Sequence, residues 1–303
     1  MRGKIIKSIA GFYEVDTEKG VFRCKAKGVF RALGLKPLVG DDVEMDVVDE
    51  QAEPPEGNVA ALLPRRSELL RPSVANVDQA LLVFAITHPA PSYNMLDRFL
   101  IQMERRALPA ILCFNKQDMA TEEERRELSA IYEGCGCRVL FISARSPQDA
   151  ERVRALLAGK TTVLTGPSGV GKSTLINTLC GESLRQTGDL SRKIARGKNT
   201  TRHTALLSLG SGTYVMDTPG FTSLFLEETQ AQELRTFYPE FAPYEGRCRF
   251  HGCAHMEEPD CAVKAAVEDG AVSRIRYENY RTLYTELRER RPVYGKKKNN
   301  QFA

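Results

Sequence analysis

One octapeptide constrains this chain more than any other feature. Residues 166–173 read Gly166-Pro167-Ser168-Gly169-Val170-Gly171-Lys172-Ser173, the spacing G-x-x-x-x-G-K-[ST]. A strand-like run, residues 161–165, precedes it, and a helical pattern from Thr174 to Cys180 follows and closes at Gly181. Glycines so placed let backbone N–H groups curl around phosphate oxygens, and the helix N-terminus adds a partial positive charge. Lys172 then reaches the β- and γ-phosphates, and Ser173 ligates Mg²⁺.

The surrounding pattern agrees with a strand–loop–helix unit. Residues 80–86 form a continuous apolar run, as expected for a strand buried on both faces. Leu96, Phe99, Leu100 and Met103 follow at helical spacing, and residues 109–114 are apolar again. Thr121-Glu122-Glu123-Glu124 reads as a capping box opening a helix. Residues 139–142 and 163–164 add short apolar runs. This alternation predicts a parallel sheet flanked by helices. Residues 206–209 and 213–216, separated by Gly210-Ser211-Gly212, predict a hairpin added to that sheet.

Three more polar motifs end strand-like runs. Asn115-Lys116-Gln117-Asp118 resembles the N-K-x-D element of GTPases. A carboxylate at Asp118 can accept two hydrogen bonds from the N1–H and N2–H₂ edge of guanine, a donor pair adenine lacks. Ser143-Ala144-Arg145 resembles the S-A-K/R element, in which the Ala144 N–H faces guanine O6. Asp217-Thr218-Pro219-Gly220 resembles the D-x-x-G element, with Asp217 on Mg²⁺ through water and the Gly220 N–H near the γ-phosphate. The order is guanine elements, phosphate loop, then switch aspartate, a circular permutation of the ordinary GTPase domain. It attaches whatever follows Leu224 directly to the switch, so the C-terminal part is expected to move with nucleotide state.

The two ends of the chain differ from this centre. Residues 1–63 read as short β segments punctuated by Gly20, Gly28, Gly34 and Gly40, which suits a small OB-type barrel. Pro64-Arg65-Arg66 marks a linker. Residues 1–36 carry nine basic and three acidic side chains, residues 37–60 carry eight acidic and none basic, and residues 272–298 carry nine and three. Separated basic patches fit a polyanion partner such as RNA, or simply a solvated surface. Cys248, Cys253, His255 and Cys261 offer three sulfurs and one imidazole, enough to close a structural Zn²⁺ site, with His251 a competitor for His255. Cys24, Cys113, Cys135, Cys137 and Cys180 lack this clustering and read as core or surface thiols. In the tail, Arg274, Arg276, Arg281, Arg288, Arg290, Arg291 and Lys296-Lys297-Lys298 could face phosphates, while the helical spacing of Tyr277, Tyr280 and Tyr284 suits packing. The division expected is residues 1–64, 65–224 and 225–303. At 42% hydrophobic and 27% charged residues the composition is globular. With no long apolar run and no secretory pattern, a cytoplasmic monomer without membrane contact is expected.

Taken together, these motifs resemble the RsgA (YjeQ/YloQ-type) family of ribosome small-subunit-dependent GTPases, over nearly the whole chain. Leu69-Leu70-Arg71-Pro72 and Asn76-Val77-Asp78-Gln79 also look like that family's linker and first GTPase strand. The resemblance implies GTP hydrolysis with Mg²⁺, one structural Zn²⁺ on Cys248, Cys253, His255 and Cys261, and binding to the small subunit and its rRNA during late maturation. It places the first switch at roughly residues 182–204, with Thr201 as the threonine that closes on Mg²⁺ and Thr200 the alternative. Two positions depart from common patterns. Phe221 stands where many GTPases carry a water-orienting Gln. Asn199 stands where family members often carry a His, with His203 four residues on as a possible substitute. Slow intrinsic hydrolysis that a partner accelerates is therefore expected. The rivals are an ATP-using small-molecule kinase or ATPase, which Asp118 argues against, and an RNA-binding adaptor holding a structural nucleotide.

Overall fold

A computed structural model describes residues 1–70, 73–181, 205–217, 226 and 229–290. The chain divides into two compact units, Met1–Leu224 and Phe225–Ala303. Of the expected site residues, Asn199, Thr200, Thr201, His203, Gly220 and Phe221 lie outside the described residues.

The first unit opens with a closed five-stranded barrel. Its strands are β1 (Arg2–Ile9), β2 (Phe12–Thr17), β3 (Gly20–Ala26), β4 (Asp42–Asp49) and β5 (Glu56–Leu62), in the order β1-β2-β3-β5-β4, with β4 closing onto β1. A single helical turn, α1 (Val29–Ala32), lies between β3 and β4. Alternation drives closure: Ile5, Val15, Phe22, Cys24, Val43, Met45 and Val59 are buried inside, and polar side chains face out. The outward face changes the reading of the charge pattern. The acidic stripe lies on and around β4, beside or across from the basic start. Lys4 pairs with Asp42 at 2.7 Å, Lys27 with Asp46 at 2.6 Å, Lys19 with Glu50 at 2.9 Å and Arg2 with Glu44 at 3.4 Å. Much of the basic excess is thus neutralised within the barrel. Arg23 and Lys25 pair with no carboxylate among the described residues; they lie over the ring of Phe12, 4.1 and 5.3 Å from its centroid.

The linker is pinned to the barrel. Arg65 grips Asp41 with two bonds, 2.7 and 2.9 Å. The short hairpin β6 (Glu68–Leu70) and β7 (Ser73–Ala75) follows, and Ala75 N–H donates to the Val39 carbonyl at 2.9 Å.

The second part of this unit is a six-stranded sheet. Its elements are β8 (Gln79–Ala85), α2 (Tyr93–Arg105), β9 (Ala110–Asn115), α3 (Glu122–Tyr132), β10 (Arg138–Phe141), α4 (Pro147–Leu157), β11 (Thr161–Thr165), α5 (Lys172–Cys180), β12 (Leu207–Gly210) and β13 (Thr213–Asp217). The strand order is β10-β9-β8-β11-β13-β12. All pairs are parallel except β12 with β13, the predicted hairpin. Every residue of β8 is buried, as its unbroken apolar run requires. The capping box at Thr121 forms as expected, with Thr121 and Glu124 bonded reciprocally.

The second unit contains two short 3-10 helices, Ala231–Phe237 and Pro239–Tyr244, then α6 (Ala262–Glu268) and α7 (Arg274–Glu289). Its core is aromatic: Phe241 lies 5.1 Å from both Tyr238 and Tyr280, ring centre to ring centre. Tyr277 and Tyr280 are buried, as their spacing predicted. Arg276 corrects one expectation. It is 1% exposed, bonded to Glu240 at 2.7 Å and stacked 4.6 Å over Tyr238, so it serves the core and cannot meet a phosphate. Arg274 and Arg281 are also partnered, by Glu268 and Glu257. Arg291 and Lys296-Lys297-Lys298 lie outside the described residues.

Candidate nucleotide site and metal centre

Because β9, β10, β11 and β13 run parallel, the residues that follow the first three and Asp217 at the end of β13 share one carboxyl edge of the sheet. The loop Gly166–Gly171 joins β11 to α5. Its glycines are required by geometry: a Cβ on Gly166 would sit 2.0 Å from the Val83 carbonyl oxygen. One on Gly171 would sit 2.3 Å from Asn115 Nδ2, and both residues have positive φ. Lys172 Nζ donates to the carbonyls of Pro167 at 2.6 Å and Gly166 at 2.9 Å, poised across the loop. Burial holds its ammonium below the ordinary lysine value, with the charge of Asp217 pulling the other way. Desolvation holds the Asp217 carboxyl above its ordinary value, and Lys172 opposes that shift. Ser168, Gly169, Ser173 and Thr174 are exposed along this edge, whereas Val170 turns its side chain into the core.

The Asn115–Asp118 segment divides its work. Asn115 is buried; its Nδ2 donates to the Val170 carbonyl at 2.7 Å and its Oδ1 accepts the Ala144 N–H at 2.8 Å. It therefore fastens the phosphate loop to the Ser143–Ala144 turn. Lys116 takes a left-handed conformation, φ 66°, and donates to the carbonyls of Gly169 at 3.0 Å and of His88. Gln117 turns its amide to Asp149 at 2.6 Å. Asp118 and Arg145 are exposed.

Asp149 was not singled out by sequence reasoning. It is buried at the start of α4 and accepts the Ser143 N–H at 2.8 Å as well as the Gln117 amide. The signal was a helix start, Ser146-Pro147-Gln148-Asp149, with an acid in the first turn.

In the second unit, Cys248, Cys253, His255 and Cys261 converge, their ligand atoms all within 4.8 Å of one another. Cys248 Sγ lies 3.8 Å from Cys261 Sγ and 3.6 Å from His255 Nδ1, and Cys261 Sγ lies 3.3 Å from that nitrogen. A tetrahedral Zn²⁺ with Zn–S bonds of roughly 2.3 Å has edges of about 3.8 Å, so this donor set fits zinc. His251 is exposed and outside the cluster. Burial raises the Cys253 thiol above its ordinary value. His255 turns its other nitrogen, Nε2, to Glu245 at 3.1 Å, and Glu245 also meets Arg235 at 3.2 Å. Tyr277 and Tyr280 hydroxyls donate to the His255 and Ala254 carbonyls at 2.7 and 2.6 Å. These outer partners were not read from the sequence. Cys24 and Cys113, by contrast, are core thiols that burial raises to about 11 and 12.

The fold and site define a circularly permuted P-loop GTPase with an OB-like barrel before it and a Cys₃His module after it. Comparison with known proteins gives the same result. The RsgA GTPase family model matches residues 62–227, and the RsgA N-terminal domain model matches residues 2–53. The chain belongs to the RsgA GTPase family, whose members hydrolyse GTP. A relative named small ribosomal subunit biogenesis GTPase RsgA from Agathobacter rectalis is 48% identical over 96% of this chain and 99% of its own length. One of the same name from Alkaliphilus metalliredigens is 44% identical over 96% and 99%. The crystal structure of YjeQ from Thermotoga maritima superposes with a TM-score of 0.76 at 35% identity, covering 96% of this chain and 99% of that one. The structure of YloQ, a circularly permuted GTPase, gives 0.76 at 34% identity over 97% and 96%.

Proposed function

We propose that this protein binds the small ribosomal subunit through its rRNA, assists the subunit's late maturation, and is stimulated by it to hydrolyse GTP. The observation that carries the reading is the meeting of Asn115–Asp118, Ser143–Arg145, the phosphate loop and Asp217 at one sheet edge in permuted order, in a chain whose relatives are named for that process. Guanine is recognised by Asn115, Lys116, Gln117 and Asp118 with Ser143, Ala144 and Arg145. Gly166, Pro167, Ser168, Gly169, Val170, Gly171, Lys172, Ser173 and Thr174 cradle the phosphates, and Gly220 reads the γ-phosphate. The working division is 1–64, 65–224 and 225–303, and the protein acts as a cytoplasmic monomer. Among the described residues, no helix is long and apolar enough to cross a membrane.

Ser173, Asp217 and Thr201 are hard oxygen donors suited to Mg²⁺. When bound with GTP, the ion neutralises phosphate charge. Water attacks the γ-phosphorus in line, the bond to the β–γ bridging oxygen breaks, GDP leaves with that electron pair, and the water's proton passes to a phosphate oxygen. Lys172 offsets the charge spreading over the phosphate oxygens. Asn199 or His203 orients the water. Cys248, Cys253, His255 and Cys261 hold Zn²⁺ in a closed shell, a structural role. On the barrel, Phe12 with Arg23 and Lys25 offers a ring and two cations to an unpaired base and its phosphates. Co-sedimentation with purified small subunits tests the reading. Retention with a non-hydrolysable GTP analogue and release with GDP are expected; equal binding in both states contradicts it.

A further inference from the structure

Strand β2 presents Phe12 and Asp16 on one outward face. At its start, the Phe12 ring has Arg23 and Lys25 over it, 4.1 and 5.3 Å from its centroid. Four residues later, Asp16 accepts a 2.9 Å hydrogen bond from the Tyr214 hydroxyl. Tyr214 belongs to β13, is 7% exposed, and stands three residues before Asp217. Burial and the charge of Asp16 push its phenol well above the ordinary value, so it remains the donor. Lys4 lies 5.7 Å over the Tyr214 ring and is itself held by Asp42 at 2.7 Å and the Gly40 carbonyl at 3.1 Å.

The hairpin is tied to the barrel a second time. Leu206 N–H donates to the Ile6 carbonyl at 2.8 Å, and Lys7 forms a β-bridge with Ala205. On its other side, β13 pairs with β11, Leu164 opposite Asp217. The phosphate loop begins where β11 ends. The strand that ends at Asp217 is therefore held by β11 on one edge, by β12 on the other, and by the barrel through the Tyr214 side chain.

We propose that Tyr214 and Asp16 are positioning residues for hydrolysis: their hydrogen bond ties the strand of Asp217 to β2, so RNA held by Phe12, Arg23 and Lys25 is felt at the magnesium carboxylate. This rests on the function proposed above, in which Asp217 serves Mg²⁺ and the barrel holds RNA.

The test uses the full chain with Tyr214→Phe, Asp16→Ala and Asp16→Asn. Phenylalanine keeps the ring but cannot donate, and asparagine keeps an acceptor oxygen. Two quantities are measured: the Mg²⁺ concentration for half-maximal binding of a fluorescent non-hydrolysable GTP analogue, and kcat at saturating small subunits. Y214F and D16A should raise the Mg²⁺ requirement and lower the stimulated kcat, each about three- to tenfold, with D16N near wild type. Thermal unfolding alone would register a merely structural bond. Wild-type values of both quantities in Y214F overturn the proposal, whatever its melting temperature. Should subunits fail to stimulate the wild type, the proposed function fails, and the Mg²⁺ requirement alone decides the role of the pair.

Discussion

Asn115 donates from Nδ2 to the carbonyl of Val170 at 2.7 Å, 55 residues away in sequence. The same side chain accepts the Ala144 N–H, so one buried amide fixes the phosphate loop against the guanine turn. Removing it leaves two buried backbone groups unpaired, at about 1–3 kcal/mol each. Asn115→Ala should weaken GDP binding by about 10- to 100-fold, read by titration with a fluorescent nucleotide. Unchanged affinity would mean that the loop holds its shape without this fastening.

Gly166 admits no side chain. The Cβ of an alanine would meet backbone, the Val83 carbonyl, at 2.0 Å, and φ is +144°. Backbone cannot swing aside as a flexible side chain can. Gly166→Ala should destabilise the protein by at least about 2 kcal/mol and abolish nucleotide binding, checked by denaturant unfolding with and without GDP.

Glu245 completes the zinc site from outside. By accepting from His255 Nε2, it orients the ring so that Nδ1 faces the sulfurs. Glu245→Gln keeps an acceptor but loses the charge shared with Arg235. Zinc should then be lost to a competing chelator at about tenfold lower chelator concentration. Stripping zinc from the wild type should unfold the aromatic core around Phe241, seen as loss of near-ultraviolet circular dichroism.

The pH dependence follows from Asp217. Its carboxyl is held above the ordinary aspartate value, chiefly by desolvation, with Lys172 opposing. A protonated carboxyl cannot hold Mg²⁺, and a raised value keeps it protonated to higher pH. The acid limb of kcat/KM for GTP should therefore lie above the ordinary aspartate value of about 3.9. A limb at or below that value would contradict the assignment.

Local chemistry with fixed spacing was legible in the sequence. The phosphate loop, the hairpin around Gly210-Ser211-Gly212, the capping box at Thr121 and the Cys₃His cluster each follow from neighbouring residues. Long-range pairing was not. The acidic stripe and the basic start looked like separate surfaces until barrel closure set β4 beside β1. Arg276 looked like one more tail cation, but its partner, Glu240, is 36 residues distant. Asp149 and Glu245 escaped for the same reason: each acts on groups brought to it only by the fold.

We propose that the small subunit drives a GTP site built in permuted order. Initial GTP turnover with and without purified small subunits tests it most directly, with ATP and Lys172→Ala as controls. Strong stimulation by subunits with GTP, none with ATP and none in the variant is predicted. Turnover unchanged by subunits, in folded and zinc-loaded protein, would contradict it.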